Sequence, residues 1–286
     1  MKDNMFLILG GDSRSLYLGE YLEKQGYSVC YFAFNQTDCF PSLSEAMNNA
    51  HFIILPLPFT RDRLSLNAPL FDEKIPIADI CALATSDKFF FGGQLPVSFC
   101  EELNARKVEY CDYFNLDELA IYNAVPTAEG VLQILLEELP VTVHGMRCAV
   151  LGNGRIGKVI ALTLKALGAN VTVYARKQKD LADIYSKGMT PRSFDELDKY
   201  YGNFDALINT VPEKVLGRKE LQKLNPECLL IETASSPFGI DFQAAKERAQ
   251  SVIKAGSLPG RVAPKTAGEI IGRSIIPIIE SRGLLN

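Results

Sequence analysis

The residues best suited to chemistry lie in VLGNGRIG, positions 150–157, which sets Gly152, Gly154 and Gly157 in the spacing Gly-x-Gly-x-x-Gly. An apolar run at Arg147–Leu151 precedes it and a helical pattern over Arg155–Leu167 follows. In that setting the first glycine allows a tight turn, the second lets backbone approach a pyrophosphate, and the third lets helix and strand pack closely. The helix start adds amide donors, so Asn153, Arg155 and Ile156 join the glycines as candidate dinucleotide contacts. VTVYARK then closes a second strand with Ala175, Arg176 and Lys177, roughly 20 residues on, where an acid would receive the ribose 2′-hydroxyl of NAD. A guanidinium there suits a 2′-phosphate, Lys177 adds charge and Ala175 leaves room, so the pattern points to NADP. The same two cations would also suit the solvated start of a helix.

INTVP, Ile208–Pro212, follows a further strand and would put Asn209, Thr210, Val211 and Pro212 at the carboxyl edge of the sheet, beside the nicotinamide half. An Asn–Pro turn explains the same run equally well. In GSLPGRVAPKTAG, two prolines and three glycines lead to Lys265 and Thr266 near a helix start, where an ammonium and backbone amides together favour an anion. A stiff structural turn is the alternative there. In GGDSRS, Ser13 and Arg14 stand at another helix start and can hold a carboxylate, unless Asp12 or Ser13 simply caps the helix. That run lacks the Gly-Lys-Ser/Thr ending of a phosphate loop, which argues against nucleotide hydrolysis. His51 and His144 read as structural, and no Ser/His/Asp arrangement can be argued.

These residues need a scaffold, and the sequence supplies a repeating one. Strand candidates at Met5–Leu9, Ser28–Phe32, Phe52–Leu55, Phe89–Phe91 and Val108–Tyr110 alternate with helical patterns such as Leu43–Asn49 and Val97–Ala105. The alternation restarts with Arg147–Leu151, Asn170–Ala175, Ala206–Asn209, Cys228–Glu232 and Val252–Ala255, interleaved with helices at Gln178–Ser186, Arg218–Leu224 and Phe242–Ala249. The expected class is α/β, with two doubly wound parallel-sheet domains, the second a Rossmann dinucleotide-binding domain. Between them, helices over Leu116–Tyr122 and Thr127–Leu139 are split at Val125-Pro126, with Thr127 as N-cap of the second and Glu129 in its first turn. The expected boundaries are a flavodoxin-like substrate or interaction domain over 1–125, and a linking helix with the Rossmann domain over 126–264. A C-terminal segment, 265–286, carries a helix that packs back on the first domain, after a loop over Gly256–Ile271.

The chain of 286 residues is long enough for two separate cores. With 47% hydrophobic and 22% charged residues, neither disorder nor a membrane class is favoured. A net charge of −4 without a long basic run denies nucleic acid the electrostatic footprint it needs, so small molecules and proteins are the expected partners. Seven scattered cysteines, never in a Cys-x-x-Cys pair, and two histidines argue against a metal site and for reduced thiols in a cytoplasmic setting. The start MKDNMFLILGGDS lacks the features of a signal peptide, and no apolar stretch reaches the roughly 18 residues of a membrane helix.

Taken in order, GGDSR, VPTAEG, VLGNGRIG, VYARK, INTVP, SSPFGIDF and LPGRVAPKTAG resemble the family of dipicolinate synthase A subunits over nearly the full chain. The resemblance implies a cytoplasmic protein of the mother cell of a spore-forming bacterium, working with the flavoprotein-like B subunit of dipicolinate synthase. It further implies oxidation of a dihydrodipicolinate-type ring to pyridine-2,6-dicarboxylate, with NADP as hydride acceptor. Under it, Ser13, Arg14, Thr127 and Thr266 are candidates for binding the dicarboxylate, and Glu129 and Lys265 for catalysis, all converging in the cleft between domains. Glu129 would accept the ring proton, unless it only favours the helix dipole. The chain departs from the family pattern at Ser13, where a small residue such as Ala is usual, and at Ser236 and Phe238, where Arg and Gly are common. The proline-rich loop is also similar to that of methylene-tetrahydrofolate dehydrogenases, although the first domain offers no convincing match to their lysine. A non-catalytic protein that binds NADP for regulation is a third reading, and a homo-oligomer stays open.

Overall fold

Short apolar runs without a polar break form strands buried on both faces, which is what a parallel sheet covered by helices requires. The computed structural model describes residues 5–283 except 36, 38 and 200–203. By contacts the chain divides into Met1–Tyr122 with Ala263–Asn286, and Asn123–Val262. In the first unit, β1 (Phe6–Leu9), β2 (Val29–Phe32), β3 (Phe52–Ile54), β4 (Phe89–Gly92) and β5 (Glu109–Asp112) pair in the order β2-β1-β3-β4-β5, all parallel. The strand order reverses between β1 and β3, so ligands of such a sheet bind beyond the ends of those two strands. Helices α1 (Ser13–Lys24), α2 (Leu43–Asn49), α3 (Ile77–Leu83) and α4 (Val97–Ala105) connect them.

The helix after β5 differs from expectation. Instead of two helices split at Pro126, one helix α5 runs from Asp117 to Glu138 with Pro126 inside it. Pro126 cannot donate to the carbonyl of Tyr122 four residues back, and one residue further on the Thr127 hydroxyl bonds to the Asn123 carbonyl at 2.6 Å. Thr127 is therefore a buried mid-helix residue rather than an N-cap, and Glu129 lies exposed in mid-helix rather than in a first turn. By length and composition α5 could cross a membrane, contrary to the reading that no segment is long enough, yet half of its apolar window is buried in the fold.

The second unit contains β6 (Arg147–Leu151), β7 (Asn170–Ala175), β8 (Thr190–Ser193), β9 (Ala206–Asn209), β10 (Leu229–Glu232) and β11 (Val252–Lys254). Their order, β11-β10-β9-β6-β7-β8 with every pair parallel, is the Rossmann arrangement, reversing between β6 and β9. The edge strand β8 reads Thr-Pro-Arg-Ser, and a proline is tolerated there because an edge strand has one side without a partner. Helices α6 (Arg155–Ala166), α7 (Gln178–Ser186), α8 (Arg218–Leu221), α9 (Phe242–Glu247) and α10 (Leu258–Val262) complete the unit. Val131 and Leu135 of α5 join Ile160 and Leu164 of α6 against Val150, Val173 and Ile208, each of which contributes about 1.5–3 kcal/mol when fully buried.

The stretch expected to be a loop over Gly256–Ile271 holds α10 and the beginning of α11 (Pro264–Ser281). Pro264 suits the first turn of a helix, and Gly268 and Gly272 are packing residues. A Cβ at Gly268 would come within 2.4 Å of the Arg14 carbonyl oxygen, and one at Gly272 within 2.4 Å of the Tyr21 ring. The glycines let α11 lie directly on α1, and Ile270, Ile271, Ile275 and Ile279 fill the first unit's core beside Phe6, Phe52, Phe89 and Phe91.

Candidate functional site

The glycine run sits at the end of β6, at the point where the second sheet's order reverses. Gly152 has φ +102°, a conformation L side chains rarely adopt, and its turn packs against Thr210 and Val211 of the loop after β9. A Cβ at Gly157 would lie 2.1 Å from the Gly152 carbonyl oxygen, whereas at Gly154 it would meet nothing within 4 Å. Gly154 is also the N-cap of α6 and contributes no side-chain cap, so the space beside the start of this helix is open at its α-carbon. A pyrophosphate fits this cradle, which supplies backbone donors and the positive end of the helix dipole. Asn153 anchors the turn laterally, donating to Asp183 of α7 at 3.3 Å. The Asp183 carboxyl is held down at about 2, chiefly by its hydrogen bonds from Lys187 and Asn153.

Arg176, immediately after β7, is exposed and pairs with Glu213 at 2.5 Å. Because β7 and β9 flank β6, this ion pair joins the segments that follow the two strands on either side of the glycine turn. The guanidinium also lies 5.8 Å from the Phe194 ring centroid and borders a cavity of about 360 Å³ lined by Phe194, Asp195, Leu197, Val215 and Glu220. Ala175 is buried, and Lys177 is the exposed N-cap residue of α7.

Of the INTVP residues, Asn209 proves to be architectural. It is fully buried and its side-chain amide donates to Val211 O at 2.9 Å and to Glu232 Oε1 at 2.7 Å. Thr210 donates to Leu151 O, while Pro212 is exposed at the rim. Glu232, which sequence reasoning passed over, is 1% exposed and accepts further bonds from the amides of Ala234, Gly239 and Ile240. Only the placement of an acid at the end of an otherwise apolar strand hinted at this role. Beyond it, Phe238 adopts φ +64°, which costs a non-glycine residue on the order of 1 kcal/mol.

In the first unit, Arg14 and Asp12 occupy the end of β1. Arg14 is 8% exposed, and its guanidinium makes a two-pronged contact with Asp12 at 2.9 and 2.8 Å and donates to the Leu57 carbonyl. Burial would raise the Asp12 carboxyl, but the hydrogen bonds and charge of Arg14 outweigh it and hold the group below its ordinary value. Arg14 is thus largely neutralised by its own helix cap, so the charge expected to meet a substrate is committed within the unit. Ser13, next to it, is half-buried. Arg61, exposed in the loop after β3, donates to buried Asn67 at 3.1 Å and adds a cation to the same end of the sheet. Lys265 and Thr266 are exposed in the first turn of α11, whose N-cap, Ala263, offers no side-chain bond.

The Rossmann order and the open glycine cradle define a nicotinamide-dinucleotide-binding domain of the dehydrogenase type, and residues 132–241 match the family model for the NAD-binding domain of D-isomer specific 2-hydroxyacid dehydrogenases. Residues 5–114 match that for the N-terminal domain of the dipicolinate synthase A subunit. The chain is 32% identical to the dipicolinate synthase A subunit of Bacillus subtilis (strain 168) over 283 residues, covering 95% of this chain and 94% of that protein. It belongs to the family of dipicolinate synthase A subunits, which displaces the folate-dehydrogenase alternative. The crystal structure of the dipicolinate synthase A subunit from Bacillus halodurans superposes with TM-score 0.89 at 28% identity, covering 98% of each chain. A transhydrogenase from Sinorhizobium meliloti, at 14% identity and TM-score 0.66 over 98% of this chain and 95% of its own, shares the fold.

Proposed function

We propose that the chain oxidises dihydrodipicolinate to dipicolinate with NADP, in the cytoplasm of a spore-forming cell and in company with the B subunit of dipicolinate synthase. The observation that carries this reading is the open start of α6 at Gly154 with Arg176 at the neighbouring strand end, in a chain that is similar, along almost its whole length, to the A subunit of that enzyme. When bound, the dinucleotide supplies the hydride acceptor. Loss of a hydride from a ring carbon and a proton from the ring leaves an aromatic pyridine, so the chemistry is driven by the product and asks chiefly for orientation. In this reading Arg176 grips the 2′-phosphate, exchanging Glu213 for it, and the Gly152–Gly157 turn with Thr210 and Val211 seats the rest. In the first unit Ser13 and Thr266 are the proposed carboxylate donors and Lys265 adds charge at the α11 start; in the second, exposed Glu129 on α5 is the proposed proton acceptor, whereas the buried Thr127 hydroxyl stays committed to the Asn123 carbonyl.

The test is turnover by the purified full-length protein. Offered NADP and freshly generated dihydrodipicolinate, it should form reduced nicotinamide at a rate proportional to its concentration, with no other protein present. Reduction that occurs only once the B subunit is supplied would instead point to a regulatory, cofactor-binding role.

A further inference from the structure

A dinucleotide on a sheet of this order lies with adenosine on the β7 side and nicotinamide on the β9 and β10 side, so a substrate approaches beside the ends of β10 and β11. Lys254 is the last residue of β11, in register with Glu232. The Glu232 carboxylate makes no ion pair with it; its two oxygens accept instead from Asn209 and from the amides of Ala234, Gly239 and Ile240. Among the described residues no carboxylate pairs with Lys254. Its ammonium lies instead 4.0 Å from the ring centroid of Phe238 and 5.9 Å from that of Phe242, two rings that meet edge-on at 5.5 Å.

This shelf is firmly tied to the loop after β9. Phe238 is held in the left-handed region, and the next residue, Gly239, packs so closely that a Cβ there would come within 2.3 Å of the Asn209 amide and 2.7 Å of the Val211 carbonyl. The exposed hydroxyl residues Ser235 and Ser236 precede it. An ammonium resting on an aromatic face keeps N–H donors for a ligand on its other side, and an aromatic ring, unlike a carboxylate, does not cancel its charge.

We propose that Lys254, positioned by Phe238, is the cation that binds one carboxylate of a planar dicarboxylate at the nicotinamide end of the second unit. The proposal rests on the oxidoreductase reading and adds to it a substrate-binding residue. It also gives the left-handed backbone of Phe238 a role, since that conformation sets the ring on which the ammonium lies.

The test titrates dipicolinate into full-length protein saturated with NADPH, following heat release, for wild type, Lys254→Met, Lys254→Arg and Phe238→Gly. Lys254→Met should weaken dipicolinate about tenfold or more, as loss of a charged hydrogen bond does, with NADPH affinity held. Lys254→Arg should recover most of the affinity, and Phe238→Gly should lose about threefold, because the charge remains and its support is gone. In turnover, Lys254→Met should raise KM for dihydrodipicolinate more than it lowers kcat. A Lys254→Met protein that binds NADPH and dipicolinate as wild type does overturns the assignment while leaving the oxidoreductase reading intact. A parallel loss of NADPH affinity also overturns it, since Lys254 would then serve the dinucleotide or the fold. Wild-type protein that takes up no dinucleotide overturns both readings.

Discussion

Arg176 and Glu213 form a 2.5 Å ion pair that links the segments following the strands on either side of the glycine turn, with both side chains more than half exposed. An exposed pair of this kind contributes at most about 1 kcal/mol, so a 2′-phosphate with two negative charges can displace Glu213. Arg176→Ala should weaken NADP by about 1.5–3 kcal/mol and leave NAD nearly unchanged, whereas Glu213→Gln should tighten NADP by removing its competitor. Equilibrium titration of both dinucleotides into the three proteins decides this. An equal loss of both in Arg176→Ala would remove the selectivity claim.

Asp12 and Arg14 give the first unit an acid-sensitive element. The Asp12 carboxyl titrates below its ordinary value of 3.8, so the pair's stabilisation is fully present above that pH and is lost as pH falls through the lowered folded value. Asp12→Asn should cost about 2 kcal/mol near neutrality, because it leaves a buried guanidinium with a neutral, weaker partner while asparagine still caps α1. The gap between wild type and variant should narrow on acidification below about pH 4. Urea unfolding across that range measures it, and a gap that stays constant would mean the carboxylate charge plays no part.

Glu232 should matter more to the second unit than any residue of the INTVP loop. Its oxygens meet four N–H donors with the carboxylate 1% exposed, and Asn209 depends on it for one of its own bonds. Glu232→Gln turns one acceptor into a donor that faces other donors, at a cost of about 2–4 kcal/mol. The expected result is a lower denaturant midpoint together with weakened dinucleotide binding, since the loops after β9 and β10 lose their common anchor. Unchanged stability would show that the network tolerates a neutral partner.

Local signals were readable in the sequence wherever one residue type has one physical use. The all-apolar strands and the spacing of Gly152, Gly154 and Gly157 fall in this group, because burial on both faces and a turn against a helix leave few alternatives. Pro126 and the glycines of 256–272 misled because the same residues serve two purposes. A proline can end a helix or sit within one, as Pro126 does, and a glycine can break a helix or let another helix approach, as Gly268 does against Arg14. Arg14, Asn209 and Glu232 were ambiguous for another reason. Whether a polar group faces a ligand or is consumed by its neighbours depends on partners distant in sequence, 43 residues away for Leu57 and 23 for the Asn209–Glu232 pair.

Gly154 and Gly157 separate binding from folding within a single turn. At Gly157 a Cβ would press to 2.1 Å on the Gly152 carbonyl oxygen, a backbone atom that cannot swing aside, so Gly157→Ala must push α6 away from β6. Overpacking of this kind costs about 1–3 kcal/mol, and the loss of stability should appear with or without dinucleotide. At Gly154 the added methyl meets no atom of the protein, and φ is −79°, which alanine adopts freely. Gly154→Ala should therefore unfold at the wild-type denaturant concentration, to within about 0.5 kcal/mol. Its methyl would instead stand in the space where a pyrophosphate approaches the α6 amides, and dinucleotide affinity should fall at least about tenfold, for NAD and NADP alike, because the pyrophosphate is common to both. Thermal shift with and without dinucleotide distinguishes the two variants, and a Gly154→Ala protein still stabilised by NADP to the wild-type extent would place the phosphates somewhere other than this turn.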